Sequence, residues 1–304
     1  QAHELYLNGE RVTKLIFPEG LKAVGTEAFA GCSGLTEVTI PDGVTIIGNR
    51  AFSGCSGLTE VTIPNGVTAI GNAAFSGCSG LTEVTIPDGV TTIGSSAFSD
   101  CSDLTEVMIP RSVKAIGGGA FEGCHGLTKI TVDPKNVNYM SQNGLLLTKD
   151  GKTLKEGVNG EVVIPPGVTM IGYRAFADRD RLTKVTIPAG VEVIGWEVFY
   201  GCDGLVDVAI PGSVTDIGLR AFAICSRLMN ISVDPGNKVY SSRNGMLLTK
   251  DGTTLIQGVN GEVEILSSVR MIGKAAFLGC SGLTRLVIPN NVTNIALEAF
   301  GNYR

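Results

Sequence analysis

The chain has 304 residues, of which 43% are hydrophobic and 17% charged, and its formal net charge at pH 7 is −5. This mild negative charge, with no cluster of Lys and Arg, argues against a nucleic-acid-binding protein, which needs a basic surface to neutralise phosphates. No apolar run approaches the roughly 18 residues of a membrane-spanning helix, and no signal-peptide pattern opens the chain.

A 23-residue unit organises the chain, and it is clearest as LTEVTIPDGVTIIGNRAFSGCSG from Leu35 to Gly57, starting again at Leu58 and Leu81. Alternating apolar and polar residues at its start predict a short, half-buried strand that ends at Pro41. A turn and an inward-facing Val-Ile segment follow. The AFSGC segment then predicts a short helical or 3₁₀ return to the next strand. One unit is therefore one coil.

Each coil has only a thin apolar stripe, so it must stack on its neighbours to bury a core. The predicted fold is an α/β repeat: a single right-handed solenoid over residues 1–304, with about twelve coils and a parallel sheet on its concave side. The recurring phenylalanines predict a buried spine. They are Phe29, Phe52, Phe75, Phe98, Phe121, Phe176, Phe199, Phe222, Phe277 and Phe300.

Two similar segments interrupt the repeat, at residues 133–160 and 234–261. Each contains a Leu-rich run followed by Asp-Gly, at Asp150-Gly151 and Asp251-Gly252, which is a strong hairpin signal. We therefore expect two β-hairpin insertions extruded from the solenoid.

Eight cysteines recur at one position of the unit and suggest a disulfide framework, a metal site or a buried column of free thiols. They are Cys32, Cys55, Cys78, Cys101, Cys124, Cys202, Cys225 and Cys280. The position requires a small apolar group, and pairing neighbours leaves thiols over, which favours free thiols. Arg179 takes this position in one coil and cannot be buried unpaired. We expect looser packing there, with Asp178 and Asp180 as its partners.

One outward strand position forms the first candidate binding surface, here called the acidic ladder. Four consecutive glutamates on one face could attract a basic partner or a divalent cation. Like charges one strand apart repel by only about 1 kcal/mol in water and are screened by salt, so a solvated face without a ligand is the alternative. The ladder consists of Glu37, Glu60, Glu83, Glu106 and Lys129, with Lys14 preceding it.

The position after the Ile-Gly step forms the second candidate surface, here called the aromatic patch. Small or polar residues occupy it in the early coils, whereas Tyr173, Trp196 and Leu219 occupy it later, with Tyr200 nearby. Tyr and Trp are favoured interface anchors, so an exposed binding patch is predicted. The alternative is that an insertion or a flanking region covers these side chains.

Nothing in the sequence predicts catalysis, a cofactor or a metal site. His3 lies near the chain start and His125 takes a position that is Ser in other coils, so neither belongs to a plausible triad or metal cluster. The chain is therefore predicted not to be an enzyme.

The pattern LTxVTIPxGVTxIGxxAFxGCxxLT, with its NGLLLTKDGKT-type insertions, resembles the BspA-like leucine-rich-repeat family of microbial surface proteins. It departs from the commoner leucine-rich repeats in having Gly43 where those have a turn asparagine. The resemblance implies that the protein is located at the cell surface or secreted. It also implies that the protein is an adhesin that binds extracellular-matrix or cell-surface proteins. A passive spacer that displays another domain is the alternative. Uncapped solenoid ends also suggest self-association.

Overall fold

The computed structural model describes residues 5–7 and 10–301. Its contacts divide the chain into two units, of which the first ends at Asp150 and the second begins at Gly151. Each unit is described separately below.

The described part of the first unit contains fourteen short strands. They are β1 Tyr6–Leu7, β2 Glu10–Arg11, β3 Lys14–Ile16, β4 Ala23–Val24, β5 Glu37–Thr39, β6 Ile46–Ile47, β7 Glu60–Thr62, β8 Ala69–Ile70, β9 Thr92–Ile93, β10 Glu106–Ile109, β11 Ala115–Ile116, β12 Lys129–Val132, β13 Tyr139–Gln142 and β14 Leu145–Thr148.

The described part of the second unit contains the remaining strands. They are β15 Thr153–Glu156, β16 Gly160–Val163, β17 Met170–Ile171, β18 Leu182–Thr186, β19 Val193–Ile194, β20 Asp207–Ile210, β21 Asp216–Ile217, β22 Asn230–Val233, β23 Tyr240–Arg243, β24 Met246–Thr249, β25 Thr254–Gln257, β26 Gly261–Glu264, β27 Met271–Ile272, β28 Leu283–Val287 and β29 Asn294–Ile295.

A typical coil has two strands, each paired in parallel with the equivalent strand of the next coil. In the first unit, β3, β5 and β7 form one such ladder, and β4, β6, β8, β9 and β11 form another. Inward residues of both strands, such as Val38 and Ile47, are buried. The predicted solenoid of about twelve turns, with a period of about 23 residues and parallel strands, is confirmed. Its continuity over the whole chain stays a prediction.

The predicted helical or 3₁₀ return is not confirmed, because no helix occurs in residues 5–7 or 10–301. In the return segment, successive N–H groups donate alternately to a carbonyl of the same turn and to a carbonyl of the next coil. Ala51 N–H donates to Gly48 O, whereas Phe52 N–H donates to Ala74 O at 2.7 Å. Arg50 and Gly54 have φ of 53° and 74°. Such left-handed residues interrupt the run of negative φ that a helix needs. Accordingly, no described helix could cross a membrane.

The phenylalanine spine is confirmed within each unit. Phe29 to Phe121 stack in order with ring centroids 5.3–5.7 Å apart, and so do Phe176 to Phe222 at 5.3–5.4 Å. At the second insertion, Gly258 takes the place of a phenylalanine in the spine. A Cβ atom on Gly258 would lie 2.1 Å from the Phe277 ring. Glycine is therefore required where the ring meets the backbone.

The eight cysteines are free thiols, as predicted, and all except Cys280 are buried. Each thiol in a regular stack donates to the phenylalanine carbonyl of the preceding coil, as in Cys78 to Phe52 O at 3.2 Å. Burial raises the pKa of the Cys55 thiol to about 12. The column is therefore held protonated at neutral pH, which makes the thiols poor nucleophiles and metal ligands.

The prediction of looser packing at Arg179 is wrong, because the Arg179 side chain is completely buried. Its partners include Glu156 and Gly157, which the sequence did not suggest. Arg179 Nη2 lies 3.7 Å from Glu156 Oε2, and its Nε donates to Gly157 O at 3.1 Å. The carboxylate therefore comes from the preceding insertion, and it compensates the charge inside the core.

The insertions differ from the extruded two-stranded hairpins that the sequence predicts. In the second insertion, β23, β24 and β25 are three antiparallel strands, and β25 then pairs in parallel with β27. In the first, β13 pairs with β14 across the turn at Asn143-Gly144, where both residues have positive φ. The second insertion therefore ends inside the parallel sheet instead of outside it.

A buried asparagine ties each insertion to the preceding coil, and sequence reasoning missed it. Asn136 Nδ2 donates to Pro110 O and Val113 O at 2.8 and 3.0 Å. Its Oδ1 accepts from the N–H groups of Asn138 and Tyr139, both at 2.8 Å. Asn237 repeats these four hydrogen bonds in the second insertion. The signal in the sequence is the Asp-Pro-x-Asn motif that occurs in both insertions.

Replacing this amide should destabilise the first unit. We expect Asn136→Ala to lower the free energy of unfolding by about 2–3 kcal/mol, because it leaves buried carbonyl and N–H groups without partners. Chemical denaturation measures the loss. Asn138→Ala is the matched control, since Asn138 is only half-buried and its amide makes a single 3.5 Å contact with Val113 O. Equal losses for the two variants would contradict the assignment.

Candidate functional site

The acidic ladder lies on the first strand of each coil, as predicted by its alternation. Glu37 pairs in register with Glu60, and Glu106 pairs with Lys129. Glu83 lies between them, in a coil whose first strand is not formed. Glu37 is half-buried and the other four side chains are exposed. The structure therefore places the five predicted residues on one face of the first unit.

Lysines neutralise both ends of this ladder. Lys14 Nζ lies 2.7 Å from Glu37 Oε1, and Lys129 Nζ lies 3.2 Å from Glu106 Oε2. Glu60 and Glu83 are left in the middle without an ion pair among the described residues. Exposed pairs of this kind contribute at most about 1 kcal/mol to stability. The uncompensated negative charge is thus limited to two carboxylates.

The corresponding position in the second unit does not continue the ladder. There Glu161 pairs in register with Lys184, Glu262 with Arg285, and Asp207 with the neutral Asn230. Opposite charges side by side cancel at distances beyond a Debye length. The acidic surface is therefore a feature of the first unit alone.

Two members of the aromatic patch are strongly exposed. Tyr173 and Trp196 are 56% and 64% exposed, and they follow strands β17 and β19, which pair in register. A Cβ at Gly218 would lie 2.4 Å from Trp196 Cδ1, so the indole ring lies over the backbone of the next coil. Exposed aromatic groups fixed in this way lose little conformational entropy on binding.

The other two members of the patch are less accessible. Leu219 and Tyr200 are half-buried. The guanidinium of Arg174 lies 5.1 Å above the Tyr200 ring, which also packs against Ala223, Ala275 and Leu278. Burial raises the pKa of the Tyr200 hydroxyl. Tyr200 therefore packs against the core of the coil and contributes less exposed area to the patch than Tyr173 or Trp196.

A chain of alternating charges runs behind the patch, and sequence reasoning missed it. Arg174 pairs with Glu197, Glu197 pairs with Arg220 at 3.5 Å, and Arg220 pairs with Glu298. The four residues occupy the same position in their coils, and all have φ between 54° and 59°. These partly buried pairs link coils of the second unit next to Tyr173 and Trp196.

Further exposed residues extend the same column. Lys274 and Leu297 occupy the position of Trp196 in later coils, and Leu297 is 68% exposed. Met170, three residues before Tyr173, is 40% exposed. The signal for Leu297 was present in the sequence, because it stands two residues after Ile295 in the regular spacing.

The residues that the structure describes contain no group of three His, Cys, Asp or Glu side chains that could hold a metal ion. His3 lies outside the described residues. The arrangement of the two surfaces, with exposed aromatic groups on one unit and carboxylates on the other, can support non-covalent recognition.

Comparison with known proteins identifies the repeat. A family model described as the BspA type leucine rich repeat region matches the chain in six copies, over residues 3–128, 158–246 and 260–304. A search of curated protein sequences found no match.

Solved structures share the fold. A leucine-rich repeat protein from Eubacterium ventriosum has a TM-score of 0.62 and 24% sequence identity, covering 88% of this chain and 83% of that protein. The pneumococcal vaccine antigen PcpA has a TM-score of 0.57 and 20% identity, over 92% and 80% of the two chains. A leucine rich cell surface protein from Faecalibacterium prausnitzii has a TM-score of 0.54 and 27% identity, over 90% and 78%.

Proposed function

Because the chain belongs to the BspA-type leucine-rich repeat family, we propose that it is a non-catalytic protein-binding region of a cell-surface or secreted bacterial protein. Leucine-rich repeats of this kind are typically non-catalytic scaffolds. Similar solved structures include a cell surface protein and a vaccine antigen, which supports this location. The role is that of an adhesin recognising extracellular-matrix or cell-surface proteins.

The exposed aromatic pair Tyr173 and Trp196 carries the proposal. Both side chains project from a rigid stack, and charge pairs next to them link coils of the second unit. Trp and Tyr dominate the residues that contribute most to binding energy at protein interfaces. A pre-organised surface also lowers the entropic cost of association. The aromatic patch is therefore the favoured contact surface.

The acidic ladder is the second candidate surface. Only Glu60 and Glu83 offer carboxylates that are not engaged by a lysine of the described chain. A basic partner would bind there with a strong dependence on salt, because exposed charges are screened within about 8 Å at physiological ionic strength. Binding at the aromatic patch would change little with salt.

The test is binding of the purified chain to a panel of extracellular-matrix and cell-surface proteins, measured by surface plasmon resonance in low and physiological salt. We expect saturable binding that Trp196→Ala weakens by at least about tenfold, which corresponds to about 1.4 kcal/mol. The melting temperature should not change, because the Trp196 side chain is mostly exposed.

Met108→Ala is the matched control, since Met108 is 56% exposed on the first-strand face of the other unit. It should leave binding unchanged. If Glu60→Lys with Glu83→Lys abolishes binding and Trp196→Ala does not, the contact surface is the acidic ladder. If no panel member binds, the adhesin proposal fails in favour of a passive spacer. Sedimentation at several protein concentrations tests the separate expectation of self-association.

A further inference from the structure

A cavity of about 280 Å³ lies in the second unit, beside the second insertion. One wall runs from Ile217 to Phe222, and the other is formed by β25 and Gly273-Lys274. Its volume equals that of about nine water molecules at roughly 30 Å³ each. It can therefore hold a ligand of about ten non-hydrogen atoms.

The insertion itself creates this space. On the strand side, β23, β24 and β25 come between β21 and β27, with Ile217 N–H donating to the Tyr240 hydroxyl at 3.0 Å. On the return side, no extra segment intervenes, and Ile224 N–H donates directly to Leu278 O at 2.9 Å. Coils that meet on one side and are held apart on the other leave a gap between them.

Apolar side chains form much of the cavity wall, together with Thr254 and the buried Gln257. Phe222 and Leu247 are buried side chains in its wall, and Ile217 and Ile256 line it nearer to solvent. Aliphatic and aromatic walls of this kind favour an apolar ligand body, since contact removes both surfaces from water.

Two of the polar side chains that line the cavity, Arg220 and Lys274, are cationic. Arg220 is paired with Glu197 and Glu298, so its charge is compensated within the chain. Lys274 is exposed and has no ion pair among the described residues. The uncompensated charge beside the apolar wall is therefore a single ammonium group, which complements an anion.

This part of the lining is specific to the second insertion. The two insertions begin 101 residues apart, at Asp133 and Asp234. At the first insertion, the residues equivalent to Leu219, Arg220 and Lys274 are Gly118, Gly119 and Tyr173. The repeat pattern alone therefore does not require these three side chains. A structural role common to both insertions does not explain them.

We propose that this cavity binds a small ligand with an apolar body and a carboxylate. The body packs against Phe222 and Leu247, and the carboxylate pairs with Lys274 Nζ. This goes beyond protein recognition by the aromatic patch and is independent of it. The same chemistry is found in a free small acid and in the carboxyl-terminal residue of a peptide.

Trp196, the only tryptophan of the chain, provides the readout. Its ring lies over Gly218, which lines the cavity. The complete chain is titrated with 4-phenylbutyrate and with 4-phenylbutylamine, which has the same body and the opposite charge. Tryptophan emission and equilibrium dialysis are both measured. We expect saturable binding of the acid and at least about tenfold weaker binding of the amine.

Lys274→Glu should weaken binding of 4-phenylbutyrate by about tenfold and favour the amine. Lys238→Glu is the matched control, because it makes the same charge change at an exposed site of the second insertion, away from the cavity lining. It should leave the affinity unchanged. The proposal is overturned if dialysis detects no saturable binding, if acid and amine bind equally, or if the two variants behave alike.

A second pair of probes distinguishes the two sources of the carboxylate. Acetyl-Gly-Gly-Phe is compared with its carboxyl-terminal amide. Tighter binding of the free-acid peptide than of 4-phenylbutyrate assigns the cavity to a chain end of a partner, whereas binding of 4-phenylbutyrate alone assigns it to a free small acid. Loss of partner binding in the adhesin test would not alter either result.

Discussion

Replacing Arg179 by cysteine is expected to lower the free energy of unfolding by about 3–5 kcal/mol, because Glu156 is then left in the core without its countercharge. Glu156→Gln should cost a similar amount, since a guanidinium cannot lose its proton at accessible pH. Both side chains are almost completely buried, at 1% and 4% side-chain exposure. Chemical denaturation of each single variant measures the loss.

The second insertion supplies the matched control for this pair. There Gln257 and Cys280 stand 101 residues after Glu156 and Arg179. The Gln257 amide donates to Gly258 O and Ala276 O at 3.1 and 3.0 Å, so the neutral pair is satisfied without an ion. The double variant Glu156→Gln with Arg179→Cys should therefore recover at least about half of either single loss. Additive losses would contradict a coupled pair.

Phe75→Ala is expected to destabilise the first unit by about 3–5 kcal/mol. The Phe75 ring is fully buried and lies 5.4 and 5.3 Å from the rings of Phe52 and Phe98. Its removal opens a cavity in the spine, and the stacked coils on either side cannot collapse into it without breaking their ladder hydrogen bonds. The measurement is the midpoint and slope of chemical unfolding.

Phe300→Ala is the control for the spine. Phe300 occupies the same position of the unit, but it is 41% exposed, and among the described residues it stacks only on Phe277, at 5.1 Å. Its loss should cost about 1–2 kcal/mol, because less apolar area is buried. Similar losses at the two positions would show that burial within the spine does not determine stability.

The acidic ladder shows how far sequence reasoning extends into the candidate site. Spacing alone placed Glu37, Glu60 and Glu106 on one outward face, because a period-2 strand and a fixed repeat determine which residues align. Lys14 and Lys129 were in the same column of the sequence. That they pair with the outermost glutamates depends on side-chain reach, which spacing does not specify.

The aromatic patch was predicted as four residues, and the structure separates them. Tyr173 and Trp196 project to solvent, whereas Tyr200 lies under Arg174. The difference arises because Tyr200 is in the return segment, where a local turn and inter-coil hydrogen bonds direct its ring toward the neighbouring coil. An expectation of helical geometry in that segment could not predict this orientation.

The repeat pattern was sufficient to predict the period, the parallel stacking of coils and the buried columns of phenylalanine and cysteine. These features follow from a repeated apolar pattern, since identical coils can bury their stripes only by aligning equivalent positions. Three contacts at the insertions became visible in the folded chain: the Glu156 partner of Arg179, the hydrogen bonds from Asn136 Nδ2 to Pro110 O and Val113 O, and the cavity beside Lys274. Each joins residues of a regular coil to residues of an insertion. Glu156 and Arg179 are 23 residues apart, as are Val113 and Asn136, but the family model does not match residues 129–157. The contacts of these residues therefore depend on the three-dimensional path of the insertion.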